Sequence, residues 1–464
     1  MEKYASSNPT RFHTPGHKGR GINKIARNFR QNLFSWDVTE VPGLDDLHQP
    51  RGPIEKAQKK LAKLYGADHS FFLVNGATSG VLAMMGATLK PGDKILISRA
   101  SHHSVLSGLI LSGASPVYIM PEQDNTLGVY TQITPKSIAE ALENNLKPRA
   151  LLVTNPVYQG FCPDLGGISR VIDKTDILLL VDEAHGPHFG FSPKLPRGAC
   201  SFPVDAWVQS PHKLLSSFTQ SAWLHLKGEK IYKDRVQQFL QMISTSSPSY
   251  LFMASLDYAR AMMESNGRKL VERSLRLAQI ARKYINKKTP FYCVGSEIKG
   301  KNGVYDIDLS RLMVNVSQGG FTGYAVERTL RQRFNIYAEY SDLYNVYFLI
   351  SYSNTYKDIK RLIRALSSLK EKKHPIGFTP LPKSLPYRAM EPRKAYYSKG
   401  KTVPIKNARG HIAKQALVPY PPGIPLIMPG EIIEDIHIDM ILNILALGGS
   451  CQGVKDEDKI YVIK

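Results

Sequence analysis

Seven short apolar runs, at 70–74, 94–98, 116–120, 150–154, 176–182, 206–209 and 221–226, alternate with helical spacing near 77–88, 103–113, 135–145 and 167–174. Such alternation leaves little choice of fold. A parallel strand reaches its neighbour only through a crossover, and helical crossovers cover both faces of the sheet. The expectation is therefore an α/β chain with a doubly wound, mainly parallel seven-stranded sheet. Asp176-Ile177-Leu178-Leu179-Leu180-Val181 reads as a strand buried on both faces, because nothing polar interrupts it after Asp176. In open α/β sheets ligands collect beyond the carboxyl ends of the strands, so the residues that follow these runs carry the functional information.

Three strand ends carry reactive groups. The 176–181 run leads into Asp182-Glu183-Ala184-His185-Gly186, the 206–209 run into Ser210-Pro211-His212-Lys213, and the 70–74 run into Asn75-Gly76-Ala77-Thr78-Ser79-Gly80. A Gly-rich turn opening a helix offers backbone N–H groups and hydroxyls to a phosphate. A lysine amine forms a Schiff base, and an aspartate keeps a pyridine nitrogen protonated so that the ring withdraws electrons. Taken together, the three read as a pyridoxal 5'-phosphate (PLP) site. Lys213 and Asp182 are then catalytic, and Gly76, Ala77, Thr78 and Ser79 lie at the phosphate. Ser210 and His212 flank the lysine within reach of the same phosphate. His185 either packs at the strand end or flanks the ring. Each part alone has a plainer reading, as a solvated lysine, a capping aspartate or a structural turn.

With 464 residues, 42% of them hydrophobic, the chain is long enough for two or three domains around sizeable cores. Cys162, Cys200, Cys293 and Cys451 are far apart and form no C-x-x-C pair, so neither a metal site nor a disulfide framework is expected. The first residues contain no apolar signal-like segment and no run of apolar residues is long enough to span a bilayer, which points to a cytoplasmic chain with no membrane partner. The formal charge of +22 argues for a rival reading, a basic nucleic-acid-binding or scaffold protein. Much of that charge is local, with 16 Lys/Arg against three acids between Lys357 and Lys414. No helix-turn-helix, zinc-finger or RNP pattern accompanies it, so a solvated basic face is the plainer explanation and no nucleic acid is expected.

Several motifs carry a family resemblance: Thr14-Pro15-Gly16-His17-Lys18-Gly19, Asp37-Val38-Thr39-Glu40, Gly43-Leu44-Asp45-Asp46-Leu47-His48, Ser101-His102-His103-Ser104, Ser210-Pro211-His212-Lys213-Leu214-Leu215, and Pro419-Tyr420-Pro421-Pro422-Gly423 with Pro429-Gly430-Glu431. The chain resembles the ornithine/lysine/arginine decarboxylases of PLP fold type I, in the short bacterial form without an N-terminal wing domain. The resemblance implies a PLP-dependent decarboxylase of a basic amino acid, arginine or lysine ahead of ornithine, in polyamine metabolism. It implies that His102 stacks on the cofactor ring, where it is also placed to return a proton. It further implies a homodimer or dimer of dimers, in which Thr245 and Ser246 reach the neighbouring subunit's phosphate. The expected divisions are an arm at 1–52 crossing to the partner, a large domain at 53–290, a smaller α/β domain at 291–374, a Pro-rich basic linker at 375–399 and a C-terminal domain at 400–464.

One departure concerns the substrate. Family members often carry Ala-Glu before the Pro-Tyr-Pro-Pro-Gly stretch, and here the pair is Lys414-Gln415. Gln415 is therefore expected near the substrate's distal group, with Glu40, Asp45, Asp46 and Glu431 as further candidate acids. Another fold type I lyase or aminotransferase is the alternative chemistry. Against a transaminase, Asn345-Val346-Tyr347-Phe348-Leu349-Ile350-Ser351 offers no arginine to a substrate α-carboxylate.

Overall fold

The computed structural model describes residues 1–20, 31–143, 147–372, 374–377, 381–420, 424–456 and 458–464. Seven strands form the central sheet: β1 (His69–Leu73), β2 (Lys94–Ser98), β3 (Ser115–Ile119), β4 (Ala150–Thr154), β5 (Leu178–Asp182), β6 (Ala206–Gln209) and β7 (Ala222–Leu226). Their spatial order is β1-β7-β6-β5-β4-β2-β3. Strand β7 runs antiparallel to both of its neighbours and the other pairings are parallel. The expected strands fall within two residues of these bounds. Residues 144 and 145, the end of one expected helix, lie outside the described residues.

The two faces of the sheet bury separate cores. Leu179 and Val181 of β5 join Trp207, Trp223 and the helices Pro53–Tyr65, Leu165–Ile172 and Tyr250–Lys288 on one side. Leu178 and Leu180 join Val208, Leu224 and the helices Gly76–Thr88, His103–Ser112 and Lys233–Ile243 on the other. Alternate residues of one strand thus feed opposite cores, which is why the run is apolar throughout.

A four-stranded antiparallel sheet follows, in the order Tyr292–Cys293, Arg311–Asn315, Asn345–Leu349, Tyr340–Ser341. Gly303-Val304-Tyr305-Asp306-Ile307-Asp308-Leu309 reads in the sequence as one short strand, and here the structure departs from that reading. Only Asp306–Ile307 pairs, and it pairs with Phe161–Cys162 beside the large sheet. The true strand, Arg311–Asn315, is fully buried although it begins with a charge and ends with an amide. The N-terminal segment is stitched to this sheet's flank: Thr10–Arg11 pairs in parallel with Ile336–Tyr337, and Phe12 lies in the same core as Leu312 and Phe348.

Beyond residue 380 a further core forms around Ile405, Ile427, Ile441 and Ile460, under a sheet of Gly400–Pro404, Lys459–Ile463 and Val454–Lys455. Its tie to the large sheet is a buried ion pair. Arg99, just past β2, donates twice to Glu431, both at 2.7 Å. Among the described residues no helix is long and apolar enough to cross a membrane.

Candidate active site

Parallel register brings the reactive strand ends level. Asp182 pairs with Thr154 of β4 and with Val208 of β6, so the chain leaving β6 emerges beside the aspartate. Pro211 then starts a single helical turn, Pro211–Leu214, in which proline's fixed φ suits the first position. That turn aims Lys213 back over the sheet edge, and Lys213 and Asp182 line one cavity with Gly76, Ala77, Thr78, His102, His185, Ser210 and His212.

The Lys213 ammonium is destabilised by burial, which pushes its pKa down to about 8 against the pull of Asp182. Its Nζ lies 2.9 Å from His185 Nε2 and 5.7 Å from the centre of the Tyr158 ring. Burial raises Asp182 above the usual carboxylate range, the nearby Lys213 charge opposes this, and the Ala184 amide donates to Asp182 Oδ1 at 3.0 Å. On the far side of His185 stands Arg311, whose Nη2 is 2.8 Å from His185 Nδ1. The same arginine donates to the carbonyl of Tyr158 at 3.1 Å and to Asp308 at 3.1 Å. The sequence reading missed Arg311 because it missed the strand that begins there.

The helix Gly76–Thr88 opens on the cavity without a side-chain cap from Asn75. First-turn amides have no intrahelical partner, and Thr78 adds a hydroxyl at the rim. Gly76 takes φ +71 to make this turn, its N–H donating to the Gln220 carbonyl at 2.6 Å. Ser79 differs from expectation: it is buried, its hydroxyl donates to the Gly76 carbonyl, and it does not line the cavity, so its amide is what it has to offer. Thr219 and Gln220, which the sequence reading passed over, do line it. Their signal was the polar stretch Ser216-Ser217-Phe218-Thr219-Gln220 just past the lysine turn.

The histidines divide by what their ring nitrogens already do. His102 caps the helix His103–Ser112, its Nδ1 accepting from the Ser104 amide at 3.2 Å. Burial, with the His103 and Lys213 charges, pushes its pKa to about 3. The ring is thus neutral at ordinary pH, which suits face-on contact with a ligand better than proton return. His212 Nδ1 faces the Ser221 carbonyl at 2.8 Å, and a carbonyl only accepts, so Nδ1 carries the hydrogen. Burial also pushes its pKa down to about 4, and the neutral ring keeps Nε2 as an acceptor.

Other expected residues stand apart. Thr245 and Ser246 are exposed and do not line the cavity of their own chain; the Thr245 carbonyl accepts from His48. Gln415 also lies outside it, donating to the Gly453 carbonyl at 2.7 Å. Of the four candidate acids, Glu431 is spent on Arg99 and Asp45 accepts backbone amides of Arg51, Gly52 and Ile54. Neither has charge to spare for a substrate. Of the Pro-Tyr-Pro-Pro-Gly stretch, residues 421–423 lie outside the described residues.

The Thr-Pro-Gly-His-Lys-Gly motif lies against its own chain's lysine turn. Gly16 N–H donates to the His212 carbonyl at 2.7 Å, and the Gly16 carbonyl accepts from Ser351. A Cβ on Gly16 would sit 2.4 Å from backbone atoms of Leu214 and Leu215. Gly16→Ala is therefore expected to push the turn away, costing about 1–3 kcal/mol in thermal or denaturant unfolding and lowering turnover. Unchanged stability and unchanged rate would show that the turn does not need this buttress.

Comparison with known proteins agrees with the geometry. The family models described as Orn/Lys/Arg decarboxylase, major domain, and Orn/Lys/Arg decarboxylase, C-terminal domain, match residues 1–358 and 379–452. The arginine decarboxylase of Bacillus subtilis is 41% identical over all of this chain and 96% of that one. That of Halalkalibacterium halodurans is 39% identical, covering 98% and 94%. Among solved structures, the Francisella novicida lysine decarboxylase superposes with a TM-score of 0.80 at 24% identity, over all of this chain and 80% of its own. A Bacillus subtilis ureidoglycine-glyoxylate aminotransferase superposes at 0.59 with 14% identity, over 78% and 92%. These likenesses show a PLP fold type I architecture.

Proposed function

The chain belongs to the Orn/Lys/Arg decarboxylase family, and on that premise we propose that it removes the α-carboxylate of a basic amino acid as CO₂. One observation carries the reading: a buried amine of lowered pKa, Lys213, stands over a buried carboxylate, Asp182, beside an uncapped helix N-terminus.

These residues fit PLP. Lys213 would hold the aldehyde carbon, Asp182 would keep the ring nitrogen protonated, and the amides of Ala77, Thr78 and Ser79 would take the phosphate with Thr78 and Ser210. Bound there, the cofactor supplies an electron sink for the pair left when the Cα–carboxylate bond breaks. The chain supplies orientation and exclusion of water. His102 and His185 bracket the cavity as neutral rings, and Tyr158 closes it above the amine. The bond that breaks is the one held perpendicular to the ring, so positioning decides the reaction.

An aminotransferase would present a free arginine to the α-carboxylate. Arg311 stands behind the cavity-lining His185, and its donors go to His185, Tyr158 and Asp308. The basic-scaffold reading is weakened in a similar way. Arg361, Arg393 and Lys414 spend donors on carbonyls of their own chain, holding segments together.

We also read the active unit as a homodimer or dimer of dimers. Thr245 and Ser246 project from the surface, and Phe34 (92% exposed), Val38 and Val41 present apolar side chains to solvent. Such exposure fits burial against a second copy. The separate cores support the expected division into large, small and C-terminal units.

The test is CO₂ release from arginine, lysine, ornithine and neutral amino acids, followed through a dilution series with sedimentation. Arginine or lysine should lead, and specific activity should fall as dimers dissociate. Release from neutral or acidic amino acids alone would overturn the substrate class. Fully active monomers would overturn the shared site.

A further inference from the structure

Arg311 binds His185 twice. One Nη2 hydrogen points to His185 Nδ1 at 2.8 Å and the other to the His185 carbonyl at 3.0 Å. A guanidinium has donors and no acceptor, and it keeps its charge at any ordinary pH. Nδ1 must therefore present a lone pair. A neutral imidazole carries one hydrogen, which is then on Nε2, and Nε2 lies 2.9 Å from Lys213 Nζ. The ring N–H donates, and the lysine nitrogen accepts it only when it has a lone pair. An ammonium at Lys213 would need Nε2 as acceptor, which would put a hydrogen on Nδ1 head-on against Arg311.

We propose that Arg311 is a positioning residue that fixes His185 as its Nε2–H tautomer and thereby favours the neutral, nucleophilic form of the Lys213 amine. Arg311 is itself held, with Nε on Asp308 at 3.1 Å and Nη1 on the Tyr158 carbonyl at 3.1 Å. Asp308 in turn faces His188 at 3.1 Å. The tautomer is thus set by the small sheet and read out at the large one.

Other charges facing the amine pull both ways. Asp182, from β5, and Glu339, beside the small sheet, favour the ammonium, while the Arg311 charge disfavours it. Burial keeps His102 and His212 neutral beside it. Two carboxylates therefore oppose one guanidinium, and charge alone would not favour a neutral amine. Burial is the largest influence against the ammonium, and the directed hydrogen bond through His185 acts on the same side. The inference rests on reading Lys213 as the cofactor-linking amine. Its test measures the amine itself and needs no turnover, so the two readings fail separately.

The measurement is competitive acetylation of the full chain, freed of cofactor, with trace acetic anhydride across a pH series and the Lys213 peptide quantified. Lys213 should titrate near 8, well below a free lysine. Arg311→Met removes both the donor and the charge and should raise the midpoint by about one pH unit or more. Arg311→Gln retains an N–H donor without the charge and should raise it by less than half as much. An unmoved midpoint in Arg311→Met, or equal shifts in the two variants, would overturn the proposal. Should a variant fail to fold, nitrogen NMR of wild-type histidine side chains decides, with the His185 signals identified by their loss in His185→Gln. The Nε2–H tautomer is expected, and an Nδ1–H tautomer overturns the assignment.

Discussion

Lys213→Ala is expected to lower CO₂ release by about 10³-fold or more, because it removes both the covalent anchor of the cofactor and a buried amine that no neighbour replaces. The fold should survive. Lys213 sits in a cavity rather than in a packed core, and removing an amine already destabilised by burial relieves a cost. The check is direct: borohydride treatment of the wild-type chain with PLP should fix label on the peptide containing Lys213, and the variant should take none. Label on a different lysine, or a variant with appreciable turnover, would remove Lys213 from the chemistry.

Asp182→Asn should retain the cofactor and lose turnover by about 10²–10³-fold. The amide is nearly isosteric, so the first turn of the helix Gly76–Thr88 and the lysine turn stay in place. What disappears is the negative charge at the end of β5, held in a dry site where charge counts most. Absorbance of bound cofactor measured beside CO₂ release separates the two effects. A variant retaining most of its rate would show that Asp182 does not tune the ring. One that no longer binds PLP would show that its role is anchoring.

Legibility of this chain followed burial and periodicity. Strand β5 was plain because residues on both of its faces enter cores, leaving an unbroken apolar run. Lys213 and Asp182 were plain because a doubly wound sheet gathers its strand ends at one edge. Arg311–Asn315 was hidden for the opposite reason: its first residue is a cation, and only tertiary pairing with His185 and Asp308 makes that cation acceptable inside. Glu431 misled in the same way, since a carboxylate inside a recognisable motif looks like a substrate ligand until Arg99 is found against it. Gln159 left no signal at all. It is buried beside the cavity with both amide atoms unpartnered, which no one-dimensional pattern reveals.

The seat of Gly16 against the His212 carbonyl also sets when, in a newly made chain, the turn bearing Lys213 can be clamped. Thr10–Arg11 finds its partner only at Ile336–Tyr337, and the Gly16 carbonyl waits for Ser351. Closing a loop of that length is slow compared with forming the local strand–helix units, so the large sheet is assembled while the first residues are still unattached. The ribosome must therefore complete most of the chain before the turn bearing Lys213 is clamped, and chains released early would carry the reactive lysine without the support that aims it.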